Sequence, residues 1–205
     1  NMQNILSDTL IYEFFFSNFN RFNSESFHPH YLEWSINRVK KVIQIFSIEY
    51  FNKKTILEIG GGHCTIGAFF STLGANVLSL EVRTKNVNLA KHKFQHLKNF
   101  SILQYNVEDD FTHLGKFDLI INFGLLEVIK NIDGVLDCCT QLSNNIVLET
   151  MVCDSVDPKV KTIYMSSGFI DGPIHNISSR PSPTYIENYF RNKNFSCTQY
   201  FNSDL

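Results

Sequence analysis

The chain has no apolar run approaching the roughly 20 residues that a membrane-crossing helix needs, so no such helix is expected. Its first residues lack a basic segment followed by an apolar one, which argues against a secretory signal. Among 205 residues there are five prolines, ten glycines and a single tryptophan, which excludes a collagen-like or low-complexity composition. No internal repeat is present. The five cysteines, Cys64, Cys138, Cys139, Cys153 and Cys197, are odd in number and lack CxxC spacing. They read as reduced thiols in a cytoplasmic protein, with neither a disulfide framework nor a metal site. A concentrated basic face is also missing. Eighteen Lys and Arg stand against twenty Asp and Glu, a net charge of −2, which argues against nucleic acid as a partner. The densest basic run, Arg38 to Lys41, falls on a predicted helix and reads as its solvated side.

What is present is a globular composition, 43% apolar and 19% charged, long enough for one domain with a sizeable core. Residues 1–50 read as an N-terminal helical extension. It is broken between Asn23 and Pro29 and resumes where Tyr31, Trp34, Ile36, Val39, Val42 and Ile43 approximate a 3.6-residue period. From residue 51 strands and helices alternate. Strands are predicted at Thr55–Ile59, Val77–Leu80, Ile102–Tyr105, Phe117–Asn122 and Ile146–Met151, with a final one at Phe195–Phe201. Helices are predicted from Ile66 to Gly74 and over Val87–Leu97, Ile132–Leu142 and Pro183–Phe190. Such alternation predicts an α/β fold, a doubly wound and mostly parallel sheet with helices on both faces. Residues 51–205 then form one domain, with 154–183, rich in Gly, Pro and Ser, as a substrate-loop insertion.

The densest functional signal is the segment Ile56-Leu57-Glu58-Ile59-Gly60-Gly61-Gly62, a strand running into glycines and then a helix containing Gly67. Glycines allow a sharp turn and let a ligand approach the backbone, and the helix turns its positive end toward polar ligand groups. Glu81 ends the second strand about 20 residues later, where an acid can accept both hydroxyls of a ribose. A dinucleotide site usually reads GxGxxG; here Thr65 stands where the last glycine belongs.

With its acid two residues before Gly60, the segment resembles the first motif of the class I S-adenosylmethionine-dependent methyltransferases, acid-x-Gly-x-Gly-x-Gly. Glu58, Gly60 and Gly62 match, and Cys64 replaces the last glycine. Two later segments resemble further motifs of that family: Tyr105-Asn106-Val107-Glu108, with Asn106 in place of an acid, and Phe117 to Glu127 at the fourth strand and its following loop. The likeness covers about residues 55–150. It implies S-adenosyl-L-methionine as cofactor, with Glu58 at the methionine amino group, Glu81 and Val82 at the ribose, and Asn106 and Val107 at the adenine. Gly60, Gly61 and Gly62 form the turn, and Asn122, Phe123 and Gly124 lie beside the sulfonium.

A methyl group on a sulfonium is already activated, so such an enzyme mainly aligns a nucleophile, and a general base is needed only where the acceptor must lose a proton. Glu127, His30 and His175 are the chosen candidates, ahead of His28, Glu149 and Asp171. His63 either touches the cofactor or faces solvent. Cys64 sits near a helix start, where a thiol pKa can fall, without a partner base nearby in sequence. Arg180 suits either a substrate carboxylate or phosphate or a structural tether. The expected activity is methyl transfer to an oxygen or nitrogen of a small molecule. RNA methylation, nicotinamide-dependent oxidoreduction and non-catalytic cofactor binding stand as alternatives, and fold analogy alone does not separate them.

Overall fold

The computed structural model describes residues 2–19, 30–165 and 177–200. Two helices, α1 (Met2–Phe19) and α2 (Tyr31–Phe46), precede an alternating series. That series is β1 (Thr55–Ile59), α3 (Thr65–Thr72), β2 (Asn76–Glu81), α4 (Thr84–Phe94), β3 (Phe100–Gln104), β4 (Leu119–Phe123), α5 (Ile132–Leu142) and β5 (Ile146–Glu149). A hairpin, β6 (Lys161–Met165) and β7 (Ile177–Pro181), and helix α6 (Pro183–Asn192) follow. Among the described residues no helix is long and apolar enough to cross a membrane.

The five strands β1–β5 form one sheet in the order β3-β2-β1-β4-β5, with every pair parallel. A parallel sheet must be covered on both faces, and its central strands are correspondingly rich in buried apolar residues on both sides. Alternation along β1 sends Leu57 and Ile59 to a core shared with Leu136, Leu142 and Phe190 of α5 and α6. Ile56 packs on the other face with Phe15, Val39, Val42 and Phe69 of α1, α2 and α3. The helices stop and start where local chemistry requires. Gly74, at φ +92°, follows the end of α3. The Asn131 side chain accepts from Gly134 N at 3.0 Å ahead of α5, and Ser182 Oγ accepts from Tyr185 N at 3.0 Å ahead of α6, which begins with a proline.

Strand order reverses direction between β1 and β4, so the loops after these two strands splay apart at the carboxyl edge. That is the topological switch point where open α/β sheets bind ligands.

The fold class matches the expectation, and three details correct it. The segment 154–183 contains the antiparallel pair β6–β7, in register from Lys161↔Pro181 to Met165↔Ile177. A long connection satisfies its backbone groups by pairing with itself. The expected strand Phe195–Phe201 does not form over residues 195–200. Instead Phe195 N donates to Phe190 O at 3.0 Å, and the two rings lie 5.7 Å apart, folding the chain back onto α6. Arg38 is not on a solvated helix face: its side chain is only 13% exposed.

Candidate active site

The carboxyl ends of β1, β2, β4 and β5 lie side by side, and most of the residues singled out in the sequence gather there. Gly60 and Gly62 adopt φ of +67° and +57°, the left-handed region that glycine occupies without a steric cost. A side chain at Gly60 would lie 2.7 Å from Leu125 Cδ1, so the turn after β1 packs closely against the loop after β4. Gly61 N donates to Leu80 O at 3.0 Å and Cys64 N to Gly61 O at 2.7 Å, tightening the turn against β2.

Glu81, buried at the end of β2, fixes this turn from the other side. Its Oε2 accepts from Gly62 N at 2.9 Å and its Oε1 from Arg83 N at 2.9 Å. Asn86 Nδ2 donates to the same Oε1 at 3.4 Å. One carboxylate thus ties the glycine turn to the start of α4, with Val82 half-buried between Glu81 and Arg83.

Glu58 faces the other way. It shares the strand parity of Ile56 and is buried, with Oε1 accepting from Gly67 N at 3.0 Å and Oε2 accepting from the Ser79 hydroxyl. Burial pushes its carboxyl up to about 7, against the opposing pull of those two donors and with a further push from Glu81. The acid before the glycine turn therefore anchors helix α3 in this structure.

Cys64 occupies the last glycine position of the turn and adopts it in the left-handed region, φ +55°. Its thiol is fully buried, and burial together with Glu58 and Glu81 raises its pKa well above the ordinary value. This corrects the expectation of a lowered pKa: a helix start does not offset burial beside two carboxyls. His63 is half-buried, and burial with Lys93 and Lys85 lowers its pKa to about 4, leaving it a neutral imidazole.

After β3, Asn106 Oδ1 accepts from Glu108 N at 3.1 Å, closing a local turn, and Val107 is buried. Glu108 Oε1 in turn accepts from Lys130 N at 2.8 Å and Asn131 N at 2.9 Å, linking this loop to the one before α5.

At the end of β4, Asn122 is fully buried, and neither its Oδ1 nor its Nδ2 has a hydrogen-bond partner. Leaving both ends of a buried amide unsatisfied costs on the order of several kcal/mol, and the residue lies in register with Ile59, immediately before the glycine turn. Phe123 and Gly124 follow, and Gly124 N donates to Glu149 O at 2.8 Å.

Of the candidate bases, Glu127 reaches this edge. Its Oε2 accepts from Thr150 Oγ1 at 2.6 Å and from Met151 N at 3.0 Å. His30 does not: it precedes α2, is 62% exposed and lies 3.7 Å from Glu33. Eight residues of helix, about 12 Å of rise, separate it from Arg38, the α2 residue that does meet the edge. His175, His28 and Asp171 lie outside the described residues. Arg180 stands on β7, opposite Thr162, and β7 lies against the turn Leu126–Val128.

Arg38 is the residue that sequence reasoning missed. Its Nη2 lies 2.6 Å from Glu149 Oε2 at the end of β5, and its guanidinium sits 5.6 Å from the centre of the Phe123 ring. The signal was available: Arg38 falls three residues after Ser35 and four before Val42, both buried, so it lies on the inward stripe of α2.

A family model described as "Methyltransferase domain" matches residues 57–145. No curated protein matches the chain by sequence. Among solved structures, the N-terminal domain of EvdMO1 with SAH bound superposes with a TM-score of 0.69 at 19% identity, covering 81% of this chain and 74% of that one. A second structure of that domain, in the presence of SAH and D-fucose, gives 0.69 at 18%, over 84% and 78%. Magnesium protoporphyrin IX methyltransferase (ChlM) from Synechocystis PCC 6803, with bound SAM, gives 0.58 at 13%, over 94% and 88%.

Proposed function

We propose that the chain is a class I S-adenosylmethionine-dependent methyltransferase, a reading supported by its methyltransferase-domain match over residues 57–145, and that it methylates an oxygen or nitrogen of a small-molecule acceptor. The observation that carries the reading is the convergence of Glu81, the glycine turn and the orphaned Asn122 amide on one sheet edge. These residues fit the cofactor. Glu81 offers a carboxylate to vicinal hydroxyls, the glycine turn lies directly beside it with Gly62 N–H on its Oε2, and Asn122 offers a buried donor and acceptor to the methionine end. Val82, Asn106 and Val107 flank the position of the base.

Bound there, S-adenosylmethionine supplies a methyl group already activated by its sulfonium. The chain's own contribution is alignment: a site that fixes donor and acceptor can lower the barrier by roughly 7–11 kcal/mol. Stiffness of the edge serves this, since Glu81 and Glu108 clamp three loops through backbone N–H groups. A small-molecule acceptor is favoured over RNA by the net charge of −2 and by the scatter of lysines and arginines. The EvdMO1 domain, studied with D-fucose, is a structural neighbour consistent with that choice. Five unpaired thiols support a cytoplasmic setting.

Calorimetric titration with S-adenosylmethionine and S-adenosylhomocysteine tests the reading. Saturable binding of both is expected, and Glu81→Ala should weaken it at least tenfold. Absence of binding at millimolar ligand would overturn it, and NADH binding in its place would favour an oxidoreductase.

A further inference from the structure

Beyond the cofactor half of the site, the carboxyl edge carries a charged cluster built from three separate elements. Glu149 ends β5 in register with Phe123 of β4. Arg38 arrives from α2, with its Nη2 2.6 Å from Glu149 Oε2. Glu127 comes from the turn after β4. The three meet around Gly124: a side chain there would lie 3.3 Å from Arg38 Nη2 and 3.7 Å from Glu127 Oε1, and φ of +62° keeps that position open for glycine.

The two carboxylates are not equivalent. Glu127 Oε2 is committed to Thr150 and Met151, so it braces the end of β5. Glu149 has its Oε2 buried against Arg38, yet its side chain is 38% exposed, while that of Arg38 is 13% exposed. One oxygen of the Glu149 carboxyl is thus held by Arg38, while the side chain as a whole keeps partial exposure at the sheet edge.

We propose that Glu149 is the proton acceptor for the methyl acceptor and that Arg38 is the residue that positions it, an assignment resting on the methyl-transfer reading above. As the acceptor's oxygen or nitrogen forms its bond to the methyl carbon, the carbon–sulfur bond breaks and its electron pair stays on sulfur. The acceptor's O–H or N–H proton passes to the Glu149 carboxylate. Burial holds the Glu149 carboxyl above the usual carboxylate range although Arg38 opposes this, and Glu127 adds to the rise. A carboxylate so placed is a better base near neutrality than an exposed one. Arg38, stacked on Phe123, fixes the carboxyl in one orientation.

The test uses the full chain and two kinds of readout. The first needs no acceptor: carboxyl-selective 13C NMR on 13C-Glu-labelled protein, with the Glu149 signal assigned by its loss in Glu149→Gln. The signal should titrate above the ordinary glutamate range, and further up in Arg38→Met, with Arg38→Lys in between and thermal melting confirming that the variants fold. An ordinary titration, or one that Arg38→Met leaves in place, overturns the assignment. The second is methyl transfer from labelled S-adenosylmethionine to a panel of monosaccharides, phenols and primary amines. Glu149→Gln should bind S-adenosylmethionine within about twofold of wild type. Its kcat should fall by about 10²–10⁴-fold with KM little changed, and the acid limb of the pH profile should disappear. A Glu149→Gln enzyme that keeps kcat and that limb overturns only this assignment. Failure of the wild type to bind S-adenosylmethionine overturns the underlying reading and this assignment with it.

Discussion

Glu58 makes the stability of this protein depend on pH in a direction that is unusual for a paired carboxylate. Its folded-state pKa is raised, from 4.5 to about 7, because burial outweighs the Gly67 and Ser79 hydrogen bonds. An acid whose pKa is raised on folding binds its proton more tightly in the native state. Its stabilisation is complete below pH 4.5 and is lost as pH rises toward 7. At about 1.4 kcal/mol per pH unit the whole effect is about 3 kcal/mol, most of which falls between pH 5 and pH 8. His63 runs the other way: its pKa is lowered to about 4, so it costs stability as pH falls below its unfolded value of about 6.5. The raw pH profile of the wild type therefore mixes opposing contributions, and the useful quantity is a difference. Glu58→Gln keeps the shape, lets its carbonyl accept from Gly67 N–H and its amide donate to the Ser79 hydroxyl, and removes the titration. Urea unfolding followed by circular dichroism at pH 5, 6, 7 and 8 gives ΔG for both proteins. The wild type should lose about 2–3 kcal/mol relative to Glu58→Gln across that range. A difference flat to within about 0.5 kcal/mol, or one of opposite sign, would refute the claim that burial controls this carboxyl.

Three substitutions at two positions test the turn and the base of α3 that follows it. Gly67→Ala would set a methyl against Glu58 Oε2 and at 2.6 Å from Ser79 Oγ, all within the buried base of α3. Overpacking and a broken buried hydrogen bond outweigh the roughly 1 kcal/mol gained in helix propensity. A net loss of about 2–3 kcal/mol is expected in urea unfolding, and a variant as stable as wild type would show that the base of α3 yields easily. Cys64→Gly exchanges about 1–2 kcal/mol of left-handed strain for a buried thiol of similar worth, so its melting temperature should stay within a few degrees of wild type. Cys64→Val, β-branched at the same φ, should lose about 2 kcal/mol or more in calorimetry, and equal melting of the two would contradict the strain argument.

The sheet was readable because β1, β2 and β4 are short apolar runs ending in glycine, acid or Asn-Phe-Gly, and a buried parallel strand leaves little else to write. The hairpin β6–β7 was hidden because Gly, Pro and Ser recur through 154–183, with Ser178, Ser179 and Pro181 inside β7 itself, although Lys161-Thr-Ile-Tyr-Met165 is rich in residues that favour a strand. The ends of β3 and β5 shifted by one or two residues, since nothing in the sequence marks where a ladder stops.

Position of the site was more legible than the direction in which its side chains point. Glu58 stands two residues from Ile56, and in a strand that interval means the same face, the one covered by α1, α2 and α3. Parity alone therefore directs Glu58 inward, toward Gly67 and Ser79. The same reasoning by period applies to Arg38. A cation on the apolar stripe of α2 needs an anion within reach, because a buried guanidinium left alone is too costly to keep. Glu149 supplies it, at the end of the strand that pairs with β4. Scattered charges in the sequence thus hide one pair that bridges the N-terminal extension and the sheet edge. Residues 31–46 are in consequence part of the site's wall, and removing them would strip Glu149 of its partner as well as uncovering the core around Val39 and Val42.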